Sequence, residues 1–128
     1  MDLKNYTSFF HDGSIIEINH TGNKITLSME SAEMDEEDIK DDVILSRDGR
    51  IRGKLHIERV KSINENDKNC SGIFKMKYED AEISHFEINK NKIELHIKWS
   101  SYPPKPCIDD FSTIKIEAEK IWWENEYR

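Results

Sequence analysis

The sequence predicts an all-β fold, or a β-rich one with a single short helix: an antiparallel sandwich or half-open barrel built from two similar units of three to four strands. Three observations predict it. Apolar residues recur with period two in several runs, the pattern of half-buried strands. Turn residues interrupt those runs at Gly22-Asn23, Asp48-Gly49 and Lys90-Asn91. Finally, the stretch from Tyr6 to Glu30 meets a weak copy of itself, Phe74 to Lys98, when shifted by 68 positions. Asp12 falls on Asp80, Ile15 on Ile83, Asn23 on Asn91, Lys24 on Lys92, Ile25 on Ile93 and Leu27 on Leu95, with no gap.

A chain of 128 residues suits one domain, 1–128, with pseudo-repeats at about 6–63 and 74–128 joined by a link over 64–73. An apolar fraction of 36% against a charged fraction of 35% gives a lean core under a heavily charged surface. The net charge of −7 disfavours nucleic acid and anionic membranes and favours a basic protein partner. Cys70 and Cys107 have no CxxC pairing and no histidine at ligand spacing, so neither a disulfide framework nor a zinc site is expected. The first residues carry no apolar leader core, and no apolar run approaches the ~18 residues of a membrane span. A cytoplasmic protein is expected.

In chain order, Tyr6 to Phe10 reads as a first strand or extended lead, broken by His11-Asp12-Gly13. Ser14 to His20 alternates, with Ile16, Ile18 and His20 on one face and Ile15, Glu17 and Asn19 on the other. After the Gly22-Asn23 turn, Ile25, Leu27 and Met29 resume the alternation, making a hairpin. Ser31 to Asp42 is thick with acids and poor in β-formers, and reads as an excursion loop or one to two helical turns. It lacks the spacing of a calcium loop. Val43 to Arg47 and Arg50 to Ile63 flank Asp48-Gly49 as a second hairpin. Its long arm changes phase between Ile57 and Val60, which predicts a bulge or a turn out of the sheet.

Asn64 to Gly72 offers almost nothing to a core and links the two units. Ile73 to Tyr78 repeats the lead, and Ile83 to Asn89 and Lys92 to Ser100 repeat the hairpin, with Ile93, Leu95, Ile97 and Trp99 inward. Tyr102 to Pro106 is a proline-stiffened loop. Phe111 to Ile121 reads as a closing strand, because Ile114, Ile116 and Ala118 alternate, although Glu-Ala-Glu-Lys is good helix material. Seven to nine strands are expected.

Catalytic motifs are missing: there is no GxSxG, HExxH, P-loop or dinucleotide fingerprint. His11, Asp12 and Asp80 form the best alternative ligand site, but neighbours on an extended chain point apart, and a recurring Asp before a strand fits a turn-capping role. His56 and His96 lie on outward faces near Glu58 and Glu94, and would converge only if their strands were neighbours. No metal and no cofactor is expected. Trp122 and Trp123 are adjacent on a strand, so both cannot face the core.

Phe10-His11-Asp12-Gly13-Ser14-Ile15, followed by an alternating hairpin with Asn-Lys at its turn, resembles small bacterial immunity-type proteins. The resemblance implies a β-rich, non-enzymatic cytosolic protein that binds a toxin domain and blocks it, with no catalytic residues to carry over. With the charge, it nominates Glu33, Asp35, Glu36, Glu37, Asp38, Asp41 and Asp42 as acidic contacts for a basic toxin or effector. Tyr102, Trp122 and Trp123 would add aromatic contact area. The alternative is a small-molecule or metal-binding protein, or a hydrolase, at His11, Asp12 and Asp80. A homodimer through the tail is a third possibility.

Overall fold

Among the described residues, two 3-10 turns, Leu3–Asn5 and Thr7–Phe10, precede seven strands: β1 (Ser14–Thr21), β2 (Lys24–Glu30), β3 (Arg52–Glu65), β4 (Lys68–Asn69), β5 (Asp80–Asn89), β6 (Lys92–Ser100) and β7 (Asp109–Asn125). The computed structural model describes residues 3–35, 49–70, 72–101 and 109–126. Residues 36–48, which hold the acidic run and the expected strand at Val43 to Arg47, and the loop with Tyr102 lie outside the described residues.

Among the described residues all strand pairings are antiparallel, and the sheet closes on itself in the order β1-β2-β3-β7-β6-β5 and back to β1, with β4 appended to β3. The all-β fold is therefore a six-stranded ring, a barrel rather than a sandwich. Its seam is short: Ser14 pairs with Glu82, while the Asp12 N–H donates to Ile83 O and the Ile83 N–H to Gly13 O, each at 2.8 Å. The β3–β7 ribbon is the longest pairing, running from Gly53↔Asn125 to Glu65↔Ile114.

The two hairpins have matching geometry. Gly22 (φ 60) and Lys90 (φ 56) both take the left-handed conformation at the first central turn position, 68 residues apart. Each first strand carries one extra residue at the same place, Ile16 in β1 and Ser84 in β5. Each third strand is caught by the turn asparagine: Val60 N–H donates to Asn23 O, and Ala118 N–H to Asn91 O.

The bulge at Ile16 corrects the expected alternation in β1. Ile15 and Ile18 both point inward, while Ile16 is 53% exposed, because one extra residue resets the face on which later side chains fall. The phase change in β3 coincides with Arg59 (φ 52) and a register shift between Val60 and Ser62, so a bulge within one strand explains it. Asp109–Asn125 is strand, as the alternation of Ile114, Ile116 and Ala118 predicts.

Tyr6 to Phe10 is not a strand, and neither is Ile73 to Tyr78. Leu3, Tyr6 and Phe10 are buried at spacings of three and four, so only helical turns can set all three against the barrel. The Phe10 ring meets Phe86 edge-on at 5.3 Å and Trp123 at 5.8 Å. The polar link also contributes to the sheet: Asn66 and Asp67, both at positive φ, form a tight turn that pairs β4 with the end of β3.

Side chains fill the barrel interior. Ile25, Leu27, Leu55, Ile57, Ile83, Leu95, Trp99 and Ile114 are fully buried. The indole N–H of Trp99 donates to Ser112 Oγ at 2.9 Å, and that hydroxyl donates to Glu65 at 2.7 Å. Lys77 closes the network, 2.6 Å from the same Glu65 oxygen. Ser31, after β2, receives the Ile51 N–H on its Oγ at 2.8 Å, which ties the end of β2 to the start of β3.

Candidate functional site

With the interior filled, chemistry available to a partner or ligand lies on outward faces. Three places gather polar and aromatic groups there.

The first is the His11-Asp12-Gly13 corner. Asp12 sits at φ 67 and is held by its own N–H, which donates to Ile83 O. Gly13 is buried so closely against Glu30 O and Phe10 O that no Cβ fits. His11 Nδ1 lies 2.6 Å from Ser84 O, and its Nε2 lies 3.8 Å from the Asp12 carboxylate, with both side chains largely in solvent. Asp80 opens β5 opposite Ser100, three residues before Ile83. The corner is thus set by backbone bonds rather than by the expected carboxylate cap. His11 also lines a depression of about 340 Å³ with Thr7, Ser8, Ser84, His85 and Glu87.

The second place is the outer face of β3 and β7. His56 pairs with Trp122 across the strands, and their rings stack 4.0 Å apart at 11°. The stack covers the imidazole, leaving its side chain 12% exposed, while Trp122 is 39% exposed. His56 Nε2 lies 2.9 Å from Glu124, and Trp122 Nε1 donates to Glu58. Glu58 is held below the usual carboxylate range chiefly by that indole hydrogen bond, outweighing slight desolvation, with Lys120, Lys24 and Arg59 adding attraction. Glu124 is lowered in the same way by its bond from His56, with Lys54 contributing. Two carboxylates that stay ionised therefore flank a fixed indole.

Trp123, the neighbour of Trp122, turns the other way. It packs on Phe10 and on Gly53, where an added Cβ would lie 2.7 Å from its ring. Of the acidic contacts named from the sequence, Glu33 and Asp35 are exposed, with Met34 buried between them. Glu36, Glu37, Asp38, Asp41, Asp42 and Tyr102 lie outside the described residues.

The third place is the outer face of β5 and β6. His85 pairs with His96 across the strands, and Glu87 pairs with Glu94 on the same face. The imidazole centroids are 4.8 Å apart. His85, Glu94 and His96 each offer a ligand atom, and these atoms all lie within 4.8 Å of one another, a set that could hold a metal ion. The convergence considered between His56 and His96 does not occur, because β7 separates their strands. The relevant histidine is His85, across its own hairpin from His96. The sequence carries the signal: counting back equally on both sides of the Lys90-Asn91 turn sets His85 opposite His96 and Glu87 opposite Glu94.

His20 serves the fold, accepting the Phe74 N–H on Nδ1 at 2.8 Å. No helix among the described residues is long and apolar enough to cross a membrane. No protein-family model, curated protein or solved structure matches this chain.

Proposed function

We propose that the chain is a non-enzymatic protein-binding module, immunity-like in role, which neutralises a basic toxin or effector in the cytoplasm. The observation that carries this reading is Trp122. One indole face rests on His56, the residue is 39% exposed, and Glu58 and Glu124 flank it as carboxylates. An aromatic face bordered by anions favours a lysine or arginine side chain through cation–π and charge attraction. Its ring is already immobilised, so binding loses little further side-chain freedom. The exposed Glu33 and Asp35 and the net charge of −7 would draw a basic partner from a distance.

The experiment is affinity capture from the source organism at low and high salt, using the native chain and a Glu58→Lys/Glu124→Lys double variant as baits. The reading expects a basic protein retained by the native chain at low salt and lost by both changes. Retention indifferent to salt and to charge reversal would refute it. Sizing the native chain and a Trp122→Ala variant, which leaves Trp123 and the β3–β7 pairing in place, distinguishes a homodimer joined through the tail.

A second reading, a small-molecule site, has the depression between His11 and His85 in its favour. A metabolite screen by thermal shift tests it, with His11→Ala expected to abolish any response.

A further inference from the structure

We propose that His85, His96 and Glu94 bind a divalent transition-metal ion of the zinc class, with Glu87 placed to supply a fourth ligand, a second carboxylate oxygen. The register from Asn89↔Lys92 to His85↔His96 is unbroken, so the four residues occupy a two-by-two block on one face. The opposite face of the same strands is anchored by Phe86, Ile93 and Leu95, all buried. The block therefore stands on a fixed support.

Distances within the block suit one ion. His96 Nε2 lies 2.8 Å from Glu94 Oε2, and His85 Nε2 lies 3.5 Å from Glu87 Oε2. Tetrahedral zinc bonds of about 2.0–2.2 Å put neighbouring ligand atoms roughly 3.3 Å apart. The widest separation in the trio, within 4.8 Å, thus requires a contraction of up to about 1.5 Å. These are partly exposed side chains free to make it: His85 is 44% and His96 is 40% exposed.

The donor set selects the metal. Two imidazoles with one or two carboxylates suit Zn²⁺, Ni²⁺ and Cu²⁺, whereas Mg²⁺ and Ca²⁺ prefer all-oxygen shells. The other hairpin offers an internal comparison. Its corresponding block, 68 residues earlier, is Glu17, Asn19, Thr26 and Ser28, paired in the same register but without an imidazole. The Ser84 bulge further fixes the site, because Ser84 Oγ donates to His96 O at 3.2 Å and Ser84 O contacts His11 Nδ1. On the His85 side, the depression lined by Thr7 and Ser8 leaves room for water on the ion.

The test is calorimetric titration of chelator-treated, untagged protein with zinc chloride. It is repeated with His85→Ala, His96→Ala and Glu94→Gln, and with His20→Ala and His56→Ala as controls. The expected result is one ion per chain, weakened at least tenfold by each of the first three changes and unaltered in the two controls. Cobalt substitution adds a second readout, visible absorption bands of tetrahedral intensity that disappear in the His85→Ala/His96→Ala double variant. Circular dichroism of each variant checks that the barrel is retained. No heat of binding at millimolar zinc overturns the proposal. So does binding that the double variant leaves intact, or binding that falls equally in the control histidine variants.

Discussion

Trp122 and His56 stack across β7 and β3 with ring centroids 4.0 Å apart and planes 11° from parallel. The next residue, Trp123, points to the opposite side of the sheet and packs on Phe10. The two indoles therefore contribute to different properties of the chain. Trp123→Ala removes ring contacts from the barrel and should cost about 3 kcal/mol or more of stability. Trp122→Ala should cost about 1 kcal/mol, since it removes a half-exposed stack. Urea unfolding of the two variants checks the difference in midpoints.

Gly13 and Gly53 are sites where backbone passes too close for a side chain. An added Cβ would collide with the Glu30 carbonyl at one and the Glu124 carbonyl at the other, neither of which can swing away. Gly13→Ala and Gly53→Ala should each destabilise by about 2–3 kcal/mol, as overpacking does. Gly72, with open space around it, should tolerate alanine. Parallel thermal melts distinguish them.

Lys90 holds φ 56 at a turn position where the matching residue of the other hairpin is Gly22. A side chain in the left-handed region costs roughly 1–2 kcal/mol, part of which glycine returns as unfolded-chain entropy. Lys90→Gly should therefore stabilise by about 0.5 kcal/mol, and Gly22→Lys should destabilise by a similar amount. Chemical denaturation measures both.

The network under Trp99 makes stability depend on pH at both extremes. Burial pushes the Glu65 carboxyl up, but hydrogen bonds from Lys77 and Ser112 and the Lys77 charge outweigh it, leaving Glu65 below its ordinary value of 4.5. A lowered carboxylate contributes stability that is complete above 4.5 and is lost as pH falls through the folded value. Lys77 is raised above 10.5, chiefly by its bond to Glu65, against desolvation. Its contribution is complete below 10.5 and is lost as pH rises through the folded value. The stability gap between the native chain and Glu65→Gln should be flat across neutral pH and shrink in acid. Ser112→Ala, which strands the buried indole N–H, should cost about 1–3 kcal/mol at neutral pH. Denaturant midpoints across the pH range check these outcomes.

Much of the strand layout is legible in the residues, because period two and turn chemistry are local. The Gly22-Asn23 and Lys90-Asn91 hairpins and the strand character of Ile114 to Ala118 follow from them. The side on which Ile16 falls does not, because a one-residue bulge depends on how β1 meets β2 and β5. Tyr6 and Phe10 resemble strand residues by type, yet their burial together with Leu3 requires helical spacing, and only the barrel surface beneath them decides that. Closure of β3 on β7 is a long-range pairing with no local signal. The His85–His96 pairing differs, since it follows arithmetically from the Lys90-Asn91 turn. Neither strand carries that signal alone, because each holds a single imidazole.

The central claim is that Trp122 is the contact residue of a protein-binding surface. Its most direct test is the dissociation constant of the captured basic partner for the native chain and for Trp122→Ala, measured by titration at fixed salt. A binding hot spot is worth about 2 kcal/mol, so the variant should bind roughly 30-fold more weakly, with its fold intact by circular dichroism. Equal affinity of the two chains would contradict the claim.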